Sequence, residues 1–174
     1  PLLKDIDNIH SPVANAAVYI INKRILNLVP ANSTFDFPRH LFPQLLASGI
    51  PCWGFDIKDG YRIDIGTIAS YYGCHMAILN ELIDFNFYFP QIREHTWIGK
   101  DSSLDSTSKV EIPIVIGENS KISSYALLAS SIIGNNVTVG SGTHIESSIV
   151  LDNTRIGENV RISSSIIGEH TIIG

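Results

Sequence analysis

The residues best suited to chemistry stand where apolar segments give way to polar ones. Asp64 ends an alternating apolar segment, Gly66 follows closely, and a helix is predicted to begin near Ile68. A carboxylate in this position can bind a metal ion beside a backbone that a ligand approaches closely, or it can cap the helix. Asn15 precedes another apolar segment, where its amide can contact a ligand or be satisfied at a strand end. The residues by themselves leave these alternatives open.

The cysteines and most histidines are not arranged as metal ligands. Cys52 and Cys74 have no CxxC spacing and no matching histidines, so we expect buried, reduced thiols rather than a disulfide or a metal site. Four histidines also lack metal-ligand spacing and are expected at the surface: His10, His40, His75 and His95. These residue types therefore predict no metal centre.

Composition argues against several classes of function. With 44% hydrophobic and 17% charged residues among 174, the chain can bury a core and hold two small domains. A net charge of −5, without a cluster of Lys and Arg, argues against a nucleic-acid surface. No apolar run approaches the roughly 20 residues that cross a bilayer, and no signal-peptide pattern opens the sequence. We expect a cytoplasmic protein that binds neither nucleic acid nor membrane.

A repeat of seventeen residues dominates the C-terminal half. Ser130-Ser131-Ile132-Ile133-Gly134 returns as Ser147-Ser148-Ile149-Val150-Leu151 and as Ser164-Ser165-Ile166-Ile167-Gly168, which is typical of stacked coils. The branched aliphatic residues form three columns, namely Ile116, Ile133, Val150 and Ile167, then Ile122, Val139, Ile156 and Ile173, then Leu128, Ile145 and Ile162. Steps of six, six and five residues in each coil predict a triangular prism with the columns pointing inward.

The residues between the columns suit tight corners. Three residues after the first column come types that tolerate a left-handed backbone: Asn119, Asn136, Asn153 and His170. Small residues that keep a corner uncrowded follow the first two columns in most coils: Gly117, Gly134, Gly168, Gly140, Gly157 and Gly174. Ile98, Leu104 and Val110 predict an earlier, slightly longer coil, which Pro113 and residues 101–108 make irregular. Because Gly174 falls within a repeat, we expect further coils or a partner to cover that end.

These hexapeptide units, such as Ile116-Gly117-Glu118-Asn119-Ser120-Lys121, resemble those of the left-handed parallel β-helix family from about Thr96 onward. The resemblance implies the left hand, which the general preference for right-handed crossovers would not predict. Flat β-helix faces commonly form dimers or trimers, so we expect a homo-oligomer through this domain. Hexapeptide-repeat acyltransferases use a histidine near a coil corner as general base. Here His170 stands in the turn column and His144 has no acidic partner in register, which leaves an acyltransferase as an alternative.

The N-terminal half predicts an incomplete α/β domain, the end of a Rossmann-like sheet. The predicted elements are a strand at 14–21, a helix at 22–29, a helix after Ser33-Thr34-Phe35-Asp36 that ends at Ser48-Gly49, a hairpin-like pair at 53–57 and 61–65 around Lys58-Asp59-Gly60, and a helix at about 68–83. At least one strand edge should lack its neighbour. We place the first domain at 1–83, an aromatic linker at 84–95 and the β-helix at 96–174.

Three segments of this half resemble the closing part of sugar-1-phosphate nucleotidyltransferases. They are Asn15-Ala16-Ala17-Val18-Tyr19, Phe35-Asp36-Phe37 leading to Leu41-Phe42-Pro43, and Tyr61-Arg62-Ile63-Asp64-Ile65-Gly66-Thr67 with Tyr71. Within that family the mannose-1-phosphate and heptose-1-phosphate guanylyltransferases are the most similar, which implies a product of the GDP-mannose type. The family often appends a left-handed β-helix, so the two resemblances support each other.

The resemblance implies roles for individual residues. Asn15 matches the position that touches the sugar phosphate, although Ala17 stands where the family has glycine. Asp64 matches the aspartate that helps hold the catalytic Mg²⁺, and Gly66 lets the backbone approach the substrate. Arg62 stands where an aromatic residue is more usual, and its role is open. Magnesium offsets the negative charge where a nucleoside triphosphate meets a sugar-1-phosphate.

The glycine-rich segment with which that family binds the triphosphate is not in this sequence, nor is the second aspartate that shares the metal. We therefore expect the C-terminal portion of a longer nucleotidyltransferase that makes an NDP-sugar, with no catalytic residue of its own and no activity alone. Besides the acyltransferase, the alternative is a non-catalytic regulatory or assembly subunit of a nucleotidyltransferase.

Overall fold

The computed structural model of the protein describes residues 15–58 and 61–174. The chain divides between Arg62 and Ile63 into two compact units. The described regular structure of the first unit is helical, and the second unit consists of one helix followed by a parallel β-helix. The expected order, an N-terminal part with helices followed by a wound parallel sheet, is confirmed. Within the described ranges, no helix is long and apolar enough to span a membrane.

Short helices form the regular structure of the first unit in its described residues, 15–58 and 61–62. They are a 3-10 helix at Lys23–Leu28, a π-helical turn at Phe37–Leu41 and helix α1 at Phe42–Ala47. The first two begin at side-chain caps, because Asn22 accepts from Arg24 N at 3.0 Å and Asp36 accepts from Arg39 N at 2.8 Å. Both helices predicted in this part of the sequence are confirmed.

The prediction of strands in the N-terminal half is wrong, as far as the described residues show. Residues 15–21, 51–58 and 61–66 pair with no strand, and most of their apolar side chains are exposed, for example 81% for Val18, 91% for Trp53 and 91% for Phe55. An alternating pattern produces a strand only where a neighbouring strand and a core cover it, and the described part of the chain supplies neither. Ala14 of the first predicted strand, and Asp59 and Gly60 of the predicted turn, lie outside the described residues.

Helix α2 spans Ile68–Leu79, as the sequence predicted, but ends four residues early. It begins with a capping box: the Thr67 hydroxyl accepts from Ser70 N at 3.1 Å, and the Ser70 hydroxyl accepts from Thr67 N at 3.2 Å. It ends before Ile83 because Glu81 takes a left-handed conformation with φ 56°, which cannot continue a right-handed helix.

Thirteen short strands wind through the rest of the second unit. They are β1 Gln91–Arg93, β2 Thr96–Ile98, β3 Ser103–Leu104, β4 Lys109–Ile116, β5 Lys121–Ile122, β6 Leu127–Ile133, β7 Thr138–Val139, β8 His144–Glu146, β9 Ile149–Val150, β10 Arg155–Ile156, β11 Arg161–Ser163, β12 Ile166–Ile167 and β13 Ile172–Ile173. One sheet runs β1-β2-β4-β6-β8-β11 with β9 and β12 branching from β6, and the other runs β13-β10-β7-β5-β3. Only β1 pairs antiparallel to its neighbour; the other pairs among the described strands are parallel.

The three predicted columns lie in register and form the core. Ile133 pairs with Ile116 and Val150, Val139 pairs with Ile122 and Ile156, and Ile145 pairs with Leu128 and Ile162. The side chains of the columns pack into one apolar cluster along the axis. The earlier coil is confirmed too, because Ile98, Leu104 and Val110 pack against this cluster. Its irregularity is a shift in pairing between Glu111 and Ile114, next to Pro113.

The predicted corners are confirmed. Asn119, Asn136, Asn153 and His170 have φ values of 55°, 55°, 59° and 57°. These are left-handed conformations, which asparagine tolerates better than most residues. A second corner places serine in the same region, with φ 46° at each of Ser130, Ser147 and Ser164. The first serine of each repeated Ser-Ser pair therefore turns the chain.

The second serine of each pair joins neighbouring coils. The Ser131 hydroxyl accepts from Ser148 N, and the Ser148 hydroxyl accepts from Ser165 N, each at 3.1 Å. The same hydroxyls donate to carbonyls of their own coils, from Ser131 to Ala129 at 2.6 Å and from Ser148 to Glu146 at 2.7 Å. Because a buried hydroxyl must find partners inside the protein, this ladder fixes the stacking of the coils.

The coils approach each other closely at some of the glycine corners that follow the first column and not at others. A Cβ added to Gly117 would lie 2.5 Å from the carbonyl carbon of Gly134 and 2.6 Å from Asn135 Oδ1. At Gly168 the nearest atom, Thr171 Oγ1, would lie 3.7 Å away, which is ordinary contact. The prediction that glycine keeps this corner uncrowded is therefore confirmed for Gly117 and not for Gly168.

We expect Gly117→Ala to lower the free energy of unfolding by about 1–3 kcal/mol, because backbone of the next coil must move to admit the methyl group. Gly168→Ala is the matched control and should change it by less than about 0.5 kcal/mol. Urea unfolding followed by circular dichroism measures both. Equal effects of the two substitutions would show that close contact between coils does not require glycine at position 117.

Candidate functional site

Asp64 and Gly66 form a tight turn immediately ahead of helix α2. Asp64 Oδ1 accepts from Gly66 N at 3.0 Å, so the carboxylate is held against the backbone two residues on. A Cβ at Gly66 would lie 3.2 Å from the same oxygen, which is tighter than ordinary contact. Both residues are exposed. The structure thus brings these two predicted site residues together and fixes the direction of the carboxylate.

Asp64 does not cap helix α2. The cap is Thr67, whose hydroxyl accepts from Ser70 N, and the Asp64 carboxylate is bound to Gly66 N instead. Among the described residues, no hydrogen bond to Asp64 Oδ2 is formed. The second oxygen of an exposed, oriented carboxylate is therefore available to a cation or a donor group.

Asn15 organises a separate loop in the first unit. Its Oδ1 accepts from Ala17 N at 2.8 Å and from the Tyr19 hydroxyl at 3.1 Å. These two donors orient the side-chain amide, whose NH₂ group can donate to a phosphate oxygen. Ala17 has φ 59°, a left-handed conformation that glycine adopts at no steric cost. This conformation gives a backbone reason for the glycine that the nucleotidyltransferase pattern has at position 17.

Magnesium is compatible with Asp64 as one ligand among several. No group of three or more His, Cys, Asp or Glu side chains capable of holding a metal occurs among residues 15–58 and 61–174. A cage made of protein ligands alone is therefore not formed by the described residues. Magnesium, however, is usually bound through one or two carboxylates together with substrate phosphates and water. A single exposed carboxylate with an available oxygen fits a contribution to such a site.

The two β-helix histidines are not arranged as general bases. His170 occupies a left-handed corner, as the turn column predicted. His144 lies on β8, where it pairs in register with Leu127 and Arg161. In the described structure neither ring forms an ion pair or hydrogen bond with a carboxylate that would orient it for proton transfer. These observations do not support the acyltransferase alternative.

The remaining histidines and cysteines of the described residues form no metal-binding group. Half-buried His95 lies 3.0 Å from Glu81 and 3.5 Å from Glu94, and both carboxylates are exposed. Cys52 is exposed and Cys74 is half-buried, and the two are not joined. The expectation of buried thiols is therefore wrong for Cys52, because the segment that carries it has no covering element in the described structure. His10 lies outside the described residues.

One residue on the helix that follows the candidate site was not predicted from the sequence. The Tyr72 hydroxyl donates to the carbonyl of Ser147 at 2.7 Å, which ties helix α2 to the β-helix. The partners are 75 residues apart in the sequence, so no local pattern predicts the bond. The signal that could have suggested it is helical: Tyr72, Met76 and Leu79 stand at i, i+4 and i+7, on one face of α2.

Comparison with known proteins shows what the β-helix is similar to. Residues 93–174 match the family described as the EIF2B subunit epsilon LbH domain. This match confirms the left-handed β-helix that the hexapeptide units implied.

Curated relatives identify the kind of protein in which these sequences occur. The chain is 30% identical to a glucose-1-phosphate adenylyltransferase of Clostridium kluyveri over 70% of this chain and 36% of the relative. It is 28% identical to the Fusobacterium nucleatum enzyme of the same name, over 64% of this chain and 36% of the relative. A UTP–glucose-1-phosphate uridylyltransferase of Synechocystis is 27% identical, over 62% and 28%. The chain therefore spans about a third of the length of these relatives.

The chain is thus similar to sugar-1-phosphate nucleotidyltransferases, the family that its three N-terminal segments resemble. A match to 70% of the chain is longer than residues 93–174, which make up less than half of it, so similarity extends ahead of the β-helix. The names of these relatives specify adenylyl and uridylyl transfer to glucose-1-phosphate. They do not support the expected guanylyltransferase subtype.

Proposed function

We propose that this chain is part of a sugar-1-phosphate nucleotidyltransferase, which makes an NDP-sugar and pyrophosphate from a nucleoside triphosphate and a sugar-1-phosphate. The observation that supports it most is similarity to such enzymes that reaches from the β-helix into the residues before it. The substrate we propose is glucose-1-phosphate or a similar hexose-1-phosphate, because the relatives are named for it. The nucleotide is ATP or UTP rather than GTP for the same reason.

The proposed roles follow from the two turns. The amide of Asn15, oriented by Ala17 N and the Tyr19 hydroxyl, donates to the phosphate of the sugar substrate. The Asp64 carboxylate, oriented by Gly66 N, offers its second oxygen to Mg²⁺. Bound magnesium would neutralise phosphate charge during nucleotidyl transfer. Gly66 leaves room for the substrate to approach the backbone.

The test is an assay of pyrophosphate release by the complete enzyme. Glucose-1-phosphate and mannose-1-phosphate are each paired with ATP, UTP and GTP in the presence of magnesium. We expect glucose-1-phosphate with ATP or UTP to give the highest kcat/KM. A preference for GTP with mannose-1-phosphate would contradict the proposed substrates, and the absence of pyrophosphate release in every combination would contradict the proposed function.

We further propose that the 174-residue chain is inactive by itself. Asp64 is the one carboxylate that we assign to the metal, and the described residues supply no glycine-rich loop for a triphosphate. The same assay on the isolated chain should give no product above background. Product formation would show that this chain contains a complete site.

The second candidate is a regulatory or assembly subunit, which is favoured by the match of residues 93–174 to a domain named for a subunit. A complete protein that neither releases pyrophosphate nor binds nucleotide in calorimetry would support it. We also propose that the β-helix mediates homo-oligomerisation. Light scattering that gave only the 19.1 kDa monomer mass for the chain would contradict this.

A further inference from the structure

We infer that the β-helix positions the Asp64–Gly66 turn through helix α2, and that Tyr72 is the positioning residue for this turn. The inference deepens the proposed function, on which its kinetic arm rests, because it gives the β-helix a role in the same site. The boundary between the compact units lies between Arg62 and Ile63. The turn therefore belongs to the unit that contains the β-helix, and not to the unit that contains Asn15.

The turn is joined to helix α2 without a spacer. Gly66, which binds the Asp64 carboxylate, directly precedes the N-cap residue Thr67. The capping box fixes the backbone of Thr67 against Ser70 in the first turn of the helix. A displacement of the start of α2 consequently moves the backbone that orients the carboxylate.

Helix α2 is attached to the β-helix at two places. At its far end, Leu79 is fully buried and packs in a cluster with Trp97 of β2 and Val115 of β4. Nearer the turn, Tyr72 donates its hydroxyl to Ser147 at 2.7 Å. Tyr72 lies five residues after Thr67, so this bond restrains the start of the helix while the apolar cluster restrains its end.

The acceptor of the Tyr72 bond is itself rigidly held. Ser147 is a left-handed corner residue whose amide donates to the carbonyl of Ala129 at 3.0 Å. The next residue, Ser148, is fully buried within the hydroxyl ladder that joins three coils. The carbonyl of Ser147 is thus part of the stacked coils, and its position is transmitted to α2 by a single hydrogen bond.

The first test measures the coupling without any enzyme activity. Tyr72→Phe removes the hydroxyl and keeps the ring, and Tyr71→Phe is the matched control, since the described structure gives the Tyr71 hydroxyl no hydrogen bond. In the 174-residue chain, hydrogen exchange of peptides covering residues 63–72 should become about threefold to tenfold faster in Tyr72→Phe. Exchange in the β-helix strands should stay unchanged. Unchanged exchange at 63–72, or an equal change in Tyr71→Phe, would overturn the inference.

The second test uses the complete enzyme. Tyr72→Phe should raise the magnesium concentration for half-maximal rate by about threefold to tenfold, while Tyr71→Phe leaves it unchanged. A merely structural role would lower the melting temperature without changing the magnesium requirement. An active enzyme whose magnesium requirement does not respond to Tyr72→Phe would overturn the positioning role. An enzyme without nucleotidyl transfer would overturn the proposed function, and the exchange experiment would then still decide the coupling.

Discussion

Asp64→Asn is expected to lower the kcat/KM of the complete enzyme by about 100-fold or more. Asparagine keeps a side-chain oxygen that can accept from Gly66 N, so the turn persists. It lacks the negative charge that a carboxylate ligand provides to Mg²⁺. The loss should therefore be a loss of metal binding at an intact turn, visible as a raised magnesium requirement and measured by pyrophosphate release.

A matched control for this substitution exists within the chain. Asp56 forms the same kind of turn, since its Oδ1 accepts from Lys58 N at 3.0 Å, and its side chain is likewise exposed. Asp56→Asn should leave kcat/KM within about twofold of the wild-type value. Asp64→Ala, which removes both the charge and the acceptor, should be at least as impaired as Asp64→Asn. Full activity of Asp64→Asn would remove Asp64 from metal binding.

The repeating part of the fold could be predicted from the sequence because its determinants are local. Each coil repeats one inward aliphatic on each of three sides, so spacing alone placed Ile133 beside Ile116 and Val150. The left-handed corners at Asn119 and Asn136 were predictable because few residue types tolerate that conformation. A pattern that recurs at a fixed interval specifies, for every coil, which residues point inward and which form the corners.

The first unit was less predictable because its patterns depend on partners outside the segment. Trp53 and Phe55 alternate as strand residues do, yet they are each 91% exposed and unpaired in the described structure. The early end of α2 depends on the left-handed Glu81, a residue type without a particular preference for that conformation. The Tyr72 contact joins residues far apart in sequence. Contacts of this kind arise from packing and leave no local signature.

For the candidate site, the sequence predicted which residues are involved but not the hydrogen bonds that they form. Family resemblance singled out Asn15, Asp64 and Gly66, and the structure joins Asp64 to Gly66 through one hydrogen bond. The alternative role predicted for Asp64 was to cap helix α2. In the structure Thr67 caps that helix. Neighbouring Asp, Thr and Ser side chains can each accept from nearby backbone amides. Which of them caps the helix depends on the local backbone angles, which the sequence does not specify. Magnesium binding by Asp64 stays a prediction.

The largest expected loss of stability is at the centre of the β-helix, with Ile145→Ala. Ile145 is fully buried and lies in register between Leu128 and Ile162 of the adjacent coils. Removing three carbon atoms there leaves a cavity that neighbouring coils cannot close, because their backbones are tied by interstrand hydrogen bonds. The free energy of unfolding should fall by about 2–5 kcal/mol, as measured by urea denaturation.

Ile172→Ala is the control that separates burial from residue type. Ile172 is 78% exposed although it pairs with Arg155 in the other sheet. Its truncation should change the free energy of unfolding by less than about 0.5 kcal/mol. Each coil of a β-helix contacts only its neighbours, so the Ile145 cavity weakens two coil interfaces and can also separate the unfolding of the coils on either side. A broadened or two-step transition in Ile145→Ala would show that separation, whereas equal losses for the two substitutions would contradict a core built on the inward columns.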